Sequence, residues 1–373
     1  MVKTCLSSIT GRVRLFIYSP NVHIFAPISM NRNSREFQIM NYIIPSPQTK
    51  EIDIEAIRAR LSEGIESCLP DDRCIAWLVI LGLYPKNSSE WNRKIIKYKE
   101  EYEGYIKDMG LDDWHNKELP NYFSEHEFGL QKNSTMVLIH GDLIRTGRHI
   151  FFLSPLSVNN LSERNSSDAY FLYSQHMRRM ERILYVIAGL NPELEYMQGF
   201  NELLQPFYYT LSSAGHLFDS NYLTIECLSF NMLLQLINSS DLRRFFQTNK
   251  STEKIVSLLS VFDQHLEIHL PSVHHKLKEL GIQPVHYCYR WFCLLFAQEF
   301  SMPDLVGIWD LLISHFDDMV DFAFFLGLGF MNEMKEEIIN GDYHIVLQRI
   351  QNLNTGYIKS AVLYANKIWK NRK

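Results

Sequence analysis

The sequence predicts an all-α fold, on three observations. From Ile54 onward apolar residues recur at helical spacing, strand-like alternation is rare and short, and no fixed-period repeat divides the chain, which disfavours a solenoid. The 373 residues suffice for one large domain or two modest ones, and 46% hydrophobic with 13% aromatic content can fill a substantial core.

Residues 1 to 48 are punctuated by Ser, Asn and Pro and keep no period, so they read as a flexible N-terminal extension, with Met30 and Met40 as alternative starts. Residues 54 to 61 are amphipathic. Leu69-Pro70-Asp71-Asp72 then looks like a helix entry, with two carboxylates at the positive end of the following helix dipole. Residues 94 to 109 form a charged, Tyr-rich helix, and residues 110 to 134 read as a polar loop. Residues 137 to 144 then lead into a motif with Arg145 near its end. Residues 157 to 168, rich in Asn and Ser, read as a surface loop before a helix over 175 to 188, which Asn191-Pro192 stops.

Further helices are expected over residues 222 to 236, 253 to 269, 287 to 300 and 305 to 314, the last opened by a capping box at Ser301-Met302-Pro303-Asp304. The apolar run over 322 to 331 is too short for a bilayer, which takes about 20 residues, and reads as a buried helix. A charged helix over 343 to 370 follows the break at Asn340-Gly341-Asp342.

Composition excludes several functions. A net charge of −5 with a pI near 6.3 gives no basic footprint for nucleic acid. The cysteines are scattered without a CxxC pair, which suggests neither a disulfide framework nor a zinc ribbon and fits a reducing compartment. No secretory signal is evident, so Asn133-Ser134-Thr135 reads as a chance glycosylation match. His265 and His269, followed by His274-His275, have helical metal-ligand spacing, but Pro271 interrupts it and Glu267 makes no HExxH; they read as solvated or core histidines. Phe322, Phe324, Phe325 and Phe330 read as core. Without a Walker GxxxxGK[ST], the chain is not expected to bind nucleotide itself.

Two segments carry chemistry. In Ile139-His140-Gly141-Asp142-Leu143-Ile144-Arg145-Thr146, Asp142 and Arg145 stand three apart, so if the segment is helical they share a face and the carboxylate can hold the guanidinium in a defined rotamer. Read alone, such a pair is a surface ion pair worth about 0 to 1 kcal/mol. In Tyr196-Met197-Gln198-Gly199-Phe200-Asn201-Glu202, the Gln198 amide can both donate and accept, and Gly199 permits close backbone approach. A lone YxQ more often means a buried or capping Gln. Together, however, a guanidinium and an amide are what an incomplete phosphate-hydrolysing site on another protein lacks: positive charge for the phosphoryl oxygens and a holder for the attacking water.

With Arg73-Cys74-Ile75-Ala76-Trp77 upstream, the ordered set RxxxW, IxxDxxR, YxQGxN resembles the signature motifs of the TBC domain, the family of Rab GTPase-activating proteins. The resemblance extends over residues 55 to 370 through Arg290-Trp291, Gln298-Glu299-Phe300 and Ile308-Trp309-Asp310. Within the family it is most similar to the member-thirteen subgroup, with a shorter insertion between the two finger motifs.

The resemblance implies a V-shaped, two-subdomain all-helical fold over residues 49 to 373, dividing near residue 215 into a finger-bearing N-terminal part and a C-terminal part from 216. It assigns catalytic fingers to Arg145 and Gln198, supporting roles to Asp142, Tyr196, Gly199 and Asn201, and a mainly structural role to Arg73 and Trp77. The chain would then be no hydrolase itself: it would complete the site of a GTP-bound Rab that brings its own GTP and magnesium. It would need no cofactor and would work in the cytoplasm, recruited to endomembranes through the Rab. His140-Gly141 departs from the charged residues often found there, and Gly141 is expected to loosen the helix by about 1 kcal/mol relative to Ala. Two other readings are a module of the same fold that binds a Rab without hastening hydrolysis, and a helical scaffold for other proteins.

Overall fold

The computed structural model describes residues 51–63, 68–117, 134–146, 163–192, 195–247 and 252–372. The extension expected over residues 1 to 48 lies outside them, as do residues 118–133 of the expected polar loop and residues 157–162 of the expected surface loop.

Among the described residues the regular elements are helices, and the extended pairing is a single bridge between Glu51 and Asn87. Helix α1, Ile54–Ser62, is capped by Asp53, whose carboxylate accepts from the Glu55 and Ala56 amides at 3.0 and 3.1 Å. Helix α2, Pro70–Ile80, opens with proline at its first position and Asp71 and Asp72 in its first turn. Then come α3, Trp91–Asp108, α4, Ser134–Arg145, α5, Glu163–Leu190, and α6, Phe200–Ser213. Helix α7, Tyr222–Ser239, is capped by Asn221, and α8 to α10 are Arg243–Gln247, Thr252–His269 and Pro271–Glu279. The C-terminal third holds α11, Tyr289–Cys293, α12, Asp304–Ser314, α13, Met319–Glu333, α14, Lys335–Asn340, α15, Tyr343–Ile350, and α16, Ile358–Lys370.

Four local expectations need correction. Residues 163–168, read as loop, are the first turns of α5; their Asn and Ser content weakens a helix without forbidding one when its later turns are buried. The helix expected over 287 to 300 stops at Cys293, because Leu295 and Phe296 take left-handed backbone conformations with φ of 50° and 62°. The capping box at Ser301 is absent: Pro303 precedes α12 and no side chain caps it. The stretch over 343 to 370 is two helices, parted where the Asn354 side chain accepts from the Gly356 amide at 2.8 Å.

One cluster of buried residues runs from Ile52 to Ala365. Within it lies α13, on which Phe322, Phe324, Phe325 and Phe330 are all buried. This helix lies against α16 so closely that a Cβ on Gly329 would stand 2.2 Å from the Ala361 carbonyl oxygen. At the other end of the chain α4 packs on α5 and α6, and α6 in turn on α2, α7 and α12. Trp77 of α2, Phe207 of α6 and Trp309 of α12 meet there, with ring centroids 5.1 to 6.1 Å apart.

Buried charge, invisible to periodicity, fixes helix α5. Glu226 of α7 accepts from Arg182 Nε and Nη2 at 2.6 and 2.7 Å and from Tyr102 OH at 2.8 Å, joining α3, α5 and α7. Glu181, fully buried, accepts from Arg178 at 2.7 Å and Trp114 at 2.9 Å and is bonded to His140 of α4. Burial opposes its charge, but the His140 and Arg178 bonds prevail and hold its carboxyl below its usual range. The unusual His140 therefore faces inward and docks α4, which continues unbroken through Gly141.

Candidate functional site

Asp142 is the hub of a small network at the C-terminal end of α4. Its Oδ1 accepts from Arg145 Nη2 at 2.6 Å, one helical turn on, and its Oδ2 accepts from Tyr196 OH at 2.9 Å. The carboxylate is nearly enclosed, with 8% of its side chain exposed, whereas the Arg145 side chain is 63% exposed. A guanidinium with one nitrogen fixed on a mostly exposed side chain is oriented without being used up. Burial, then the Asp142 charge, pushes the Tyr196 phenol up, so it stays protonated and keeps donating.

A second bond ties the same two segments. Asn201 Nδ2 donates to Thr146 Oγ1 at 2.6 Å, and the Thr146 hydroxyl donates to the Asp142 carbonyl. Asn201 Oδ1 also accepts from the Gly199 amide at 3.1 Å. Gly199, with φ of 109°, supplies the left-handed residue that turns the 195–199 segment into α6. Gln198, immediately before it, is exposed. Arg145 and Gln198, distant in the chain, thus stand on segments hydrogen-bonded to each other, and both reach solvent.

The remaining motif residues lie apart from this network. Arg73 delivers its fork to Asp310 of α12 at 2.7 to 2.9 Å, and Trp77 Nε1 donates to the same carboxylate at 2.8 Å. Sequence reasoning gave no role to Asp310 as their acceptor, nor to the Thr146 bond, because neither pairing is visible before the helices are in place. Among the described residues no group of three or more His, Cys, Asp and Glu could hold a metal, and no helix is long and apolar enough to cross a membrane. His265 and His269 flank Phe325 instead, with centroids 4.9 and 5.8 Å from its ring.

This fold and this motif set are those of a known family: the Rab-GTPase-TBC domain pattern matches residues 71–339, and the chain belongs to that family. TBC1 domain family member 13 of Homo sapiens is 24% identical over 369 residues, covering 80% of this chain and 90% of that protein. A TBC domain-containing protein of Schizosaccharomyces pombe is 30% identical over 190 residues, which is 47% of this chain but 30% of that protein. The GTPase-activating protein GYP7 of Candida glabrata is 23% identical over 77% of this chain and 37% of its own length. Among solved structures, the Ypt/Rab-GAP domain of Gyp1p superposes with a TM-score of 0.68 at 17% identity, covering 91% of this chain and 99% of that one. At that identity the likeness concerns the fold.

Proposed function

We infer that this chain is a GTPase-activating protein for a Rab-type small GTPase, which it serves by supplying Arg145 and Gln198 in trans. The partner would carry GTP and magnesium. Arg145 would neutralise the charge spread over the transferring phosphoryl oxygens, and the Gln198 amide would hold the attacking water, donating to one oxygen and accepting from another. The observation that carries this reading is the pairing of two solvent-facing side chains on segments joined through Asp142–Tyr196 and Thr146–Asn201. Preorganisation of this kind lets the guanidinium act with little ordering cost when the partner docks. The protein would work in the cytoplasm and reach endomembranes through the Rab.

Single-turnover hydrolysis by a panel of GTP-loaded Rabs tests the reading. For the cognate Rab the wild type should raise the rate by about 10³ to 10⁵. Arg145→Ala should remove most of that gain and Gln198→Ala a large part of it. Equal rates with wild type and Arg145→Ala across the panel would reject the catalytic role.

A further inference from the structure

The Gln198 segment is held from a second side, away from α4. A Cβ on Gly199 would stand 2.6 Å from Leu294 Cδ2, so the Leu294 side chain already fills the space against this residue. Gln298 Nε2 donates to Glu202 Oε1 at 3.4 Å, while Gln205 Nε2 donates to the other oxygen at 3.0 Å. Glu202 returns the restraint to the finger, since its own amide donates to the Gly199 carbonyl at 3.0 Å. Leu294 and Gln298 both belong to the 294–299 turn, the stretch that leaves the helical path at Leu295 and Phe296. That turn is itself anchored: Trp309 Nε1 donates to the Leu295 carbonyl at 3.0 Å, and Arg290 grips Glu299 at 2.6 and 3.2 Å. Trp309 is the neighbour of Asp310, which receives Arg73 and Trp77.

We propose that the 294–299 turn is the seat of the glutamine finger: Leu294 and Gln298 are positioning residues that set the backbone carrying Gln198, separately from the α4 side that sets Arg145. This gives the left-handed turn a purpose, because a continued helix through 295 and 296 would carry Gln298 away from Glu202. Gln298 acts through Glu202 and Gly199. The kinetic consequence rests on the GTPase-activating reading; the structural one does not.

Two measurements separate them. Gln298 is exposed, so Gln298→Ala leaves the core intact. In hydrogen exchange of the free full-length protein, Gln298→Ala should speed exchange across residues 195–203 and leave residues 134–146 unchanged. The exchanged pair Glu202→Gln with Gln298→Glu, which reverses the donor and the acceptor, should restore protection. Unchanged exchange in Gln298→Ala overturns the proposal whatever the activity. In single-turnover hydrolysis, Gln298→Ala should cost about two- to tenfold, the worth of one hydrogen bond. The same factor should appear on top of Arg145→Ala and vanish on top of Gln198→Ala. An undiminished loss in the Gln198→Ala background overturns the proposal too, since it would place the effect elsewhere. If wild type and Arg145→Ala hydrolyse equally, the activity reading falls, and the exchange pattern alone decides whether the turn seats the segment.

Discussion

Asp142 joins two distant segments at the residue scale: one carboxylate, 8% exposed, orients Arg145 with one oxygen and anchors Tyr196 with the other. Close by, Glu202 has its carboxyl pushed up from the ordinary 4.5 to about 7, first by burial and further by Asp142, against the bonds from Gln298 and Gln205. The folded chain therefore holds this proton more tightly than the unfolded one. Its contribution to stability is fully present below pH 4.5 and is lost as pH rises through 7. Asp72, pushed up to about 6 by burial and then by Asp71, acts in the same direction. Denaturant midpoints compared at about pH 5 and about pH 8 should show this fall, and Glu202→Gln should lessen it, leaving the Asp72 share. An identical slope in Glu202→Gln would count against the burial assigned to that carboxylate.

At the element scale, α4 and α5 are positioned by buried charge as much as by apolar stripes. Arg182, Glu226 and Tyr102 pin α5 between α3 and α7, and Glu181 docks α4 through His140. Removing Glu226 leaves Arg182 desolvated without its counter-charge, so Glu226→Ala should cost about 3 to 5 kcal/mol in chemical denaturation. Replacing the pair together, Arg182→Met with Glu226→Leu, should cost less, because Arg182 is no longer stranded and only the weaker 3.9 Å pairing of Arg179 with Glu226 is lost. A double variant as unstable as the single one would show that packing, not charge pairing, sets the penalty. The α4 helix shows the same economy: Gly141 weakens it locally, yet His140 beside it is tied into the core.

For the whole molecule, the RxxxW pair matters because its acceptor lies far along the chain. Arg73 and Trp77 meet at Asp310, beneath the Trp77, Phe207 and Trp309 rings, where α2, α6 and α12 converge. With one buried cluster reaching from Ile52 to Ala365, a defect at this point spreads. Asp310→Ala strands a guanidinium that is 11% exposed, and should destabilise by about 3 to 5 kcal/mol. Far-ultraviolet circular dichroism and tryptophan fluorescence should then shift together to lower temperature. Separation of the two transitions would show instead that α2 melts by itself. Such a loss would also reach the 294–299 turn through Trp309, whose indole donates to the Leu295 carbonyl.

How much was legible beforehand follows from which forces are local. Helical spacing from Ile54, Pro70 with Asp71 and Asp72 at a helix entry, and the buried apolar run over 322 to 331 are short-range signals, and the all-α class and most helices follow from them. The motif spacing likewise marked Arg145, Gln198 and their neighbours as a set, because identity and order are properties of the chain alone. Leu295 and Phe296 in left-handed backbone were not legible: neither residue prefers that conformation, and it persists where Trp309 and the surrounding core hold it. The partners Asp310, Glu181 and Glu226, and the bonds from Tyr196 to Asp142 and from Asn201 to Thr146, join residues tens to hundreds of positions apart. Sequence determined which side chains and helices this protein has; only tertiary packing decided which of them meet, because a hydrogen bond acts over about 3 Å of space whatever the distance along the chain.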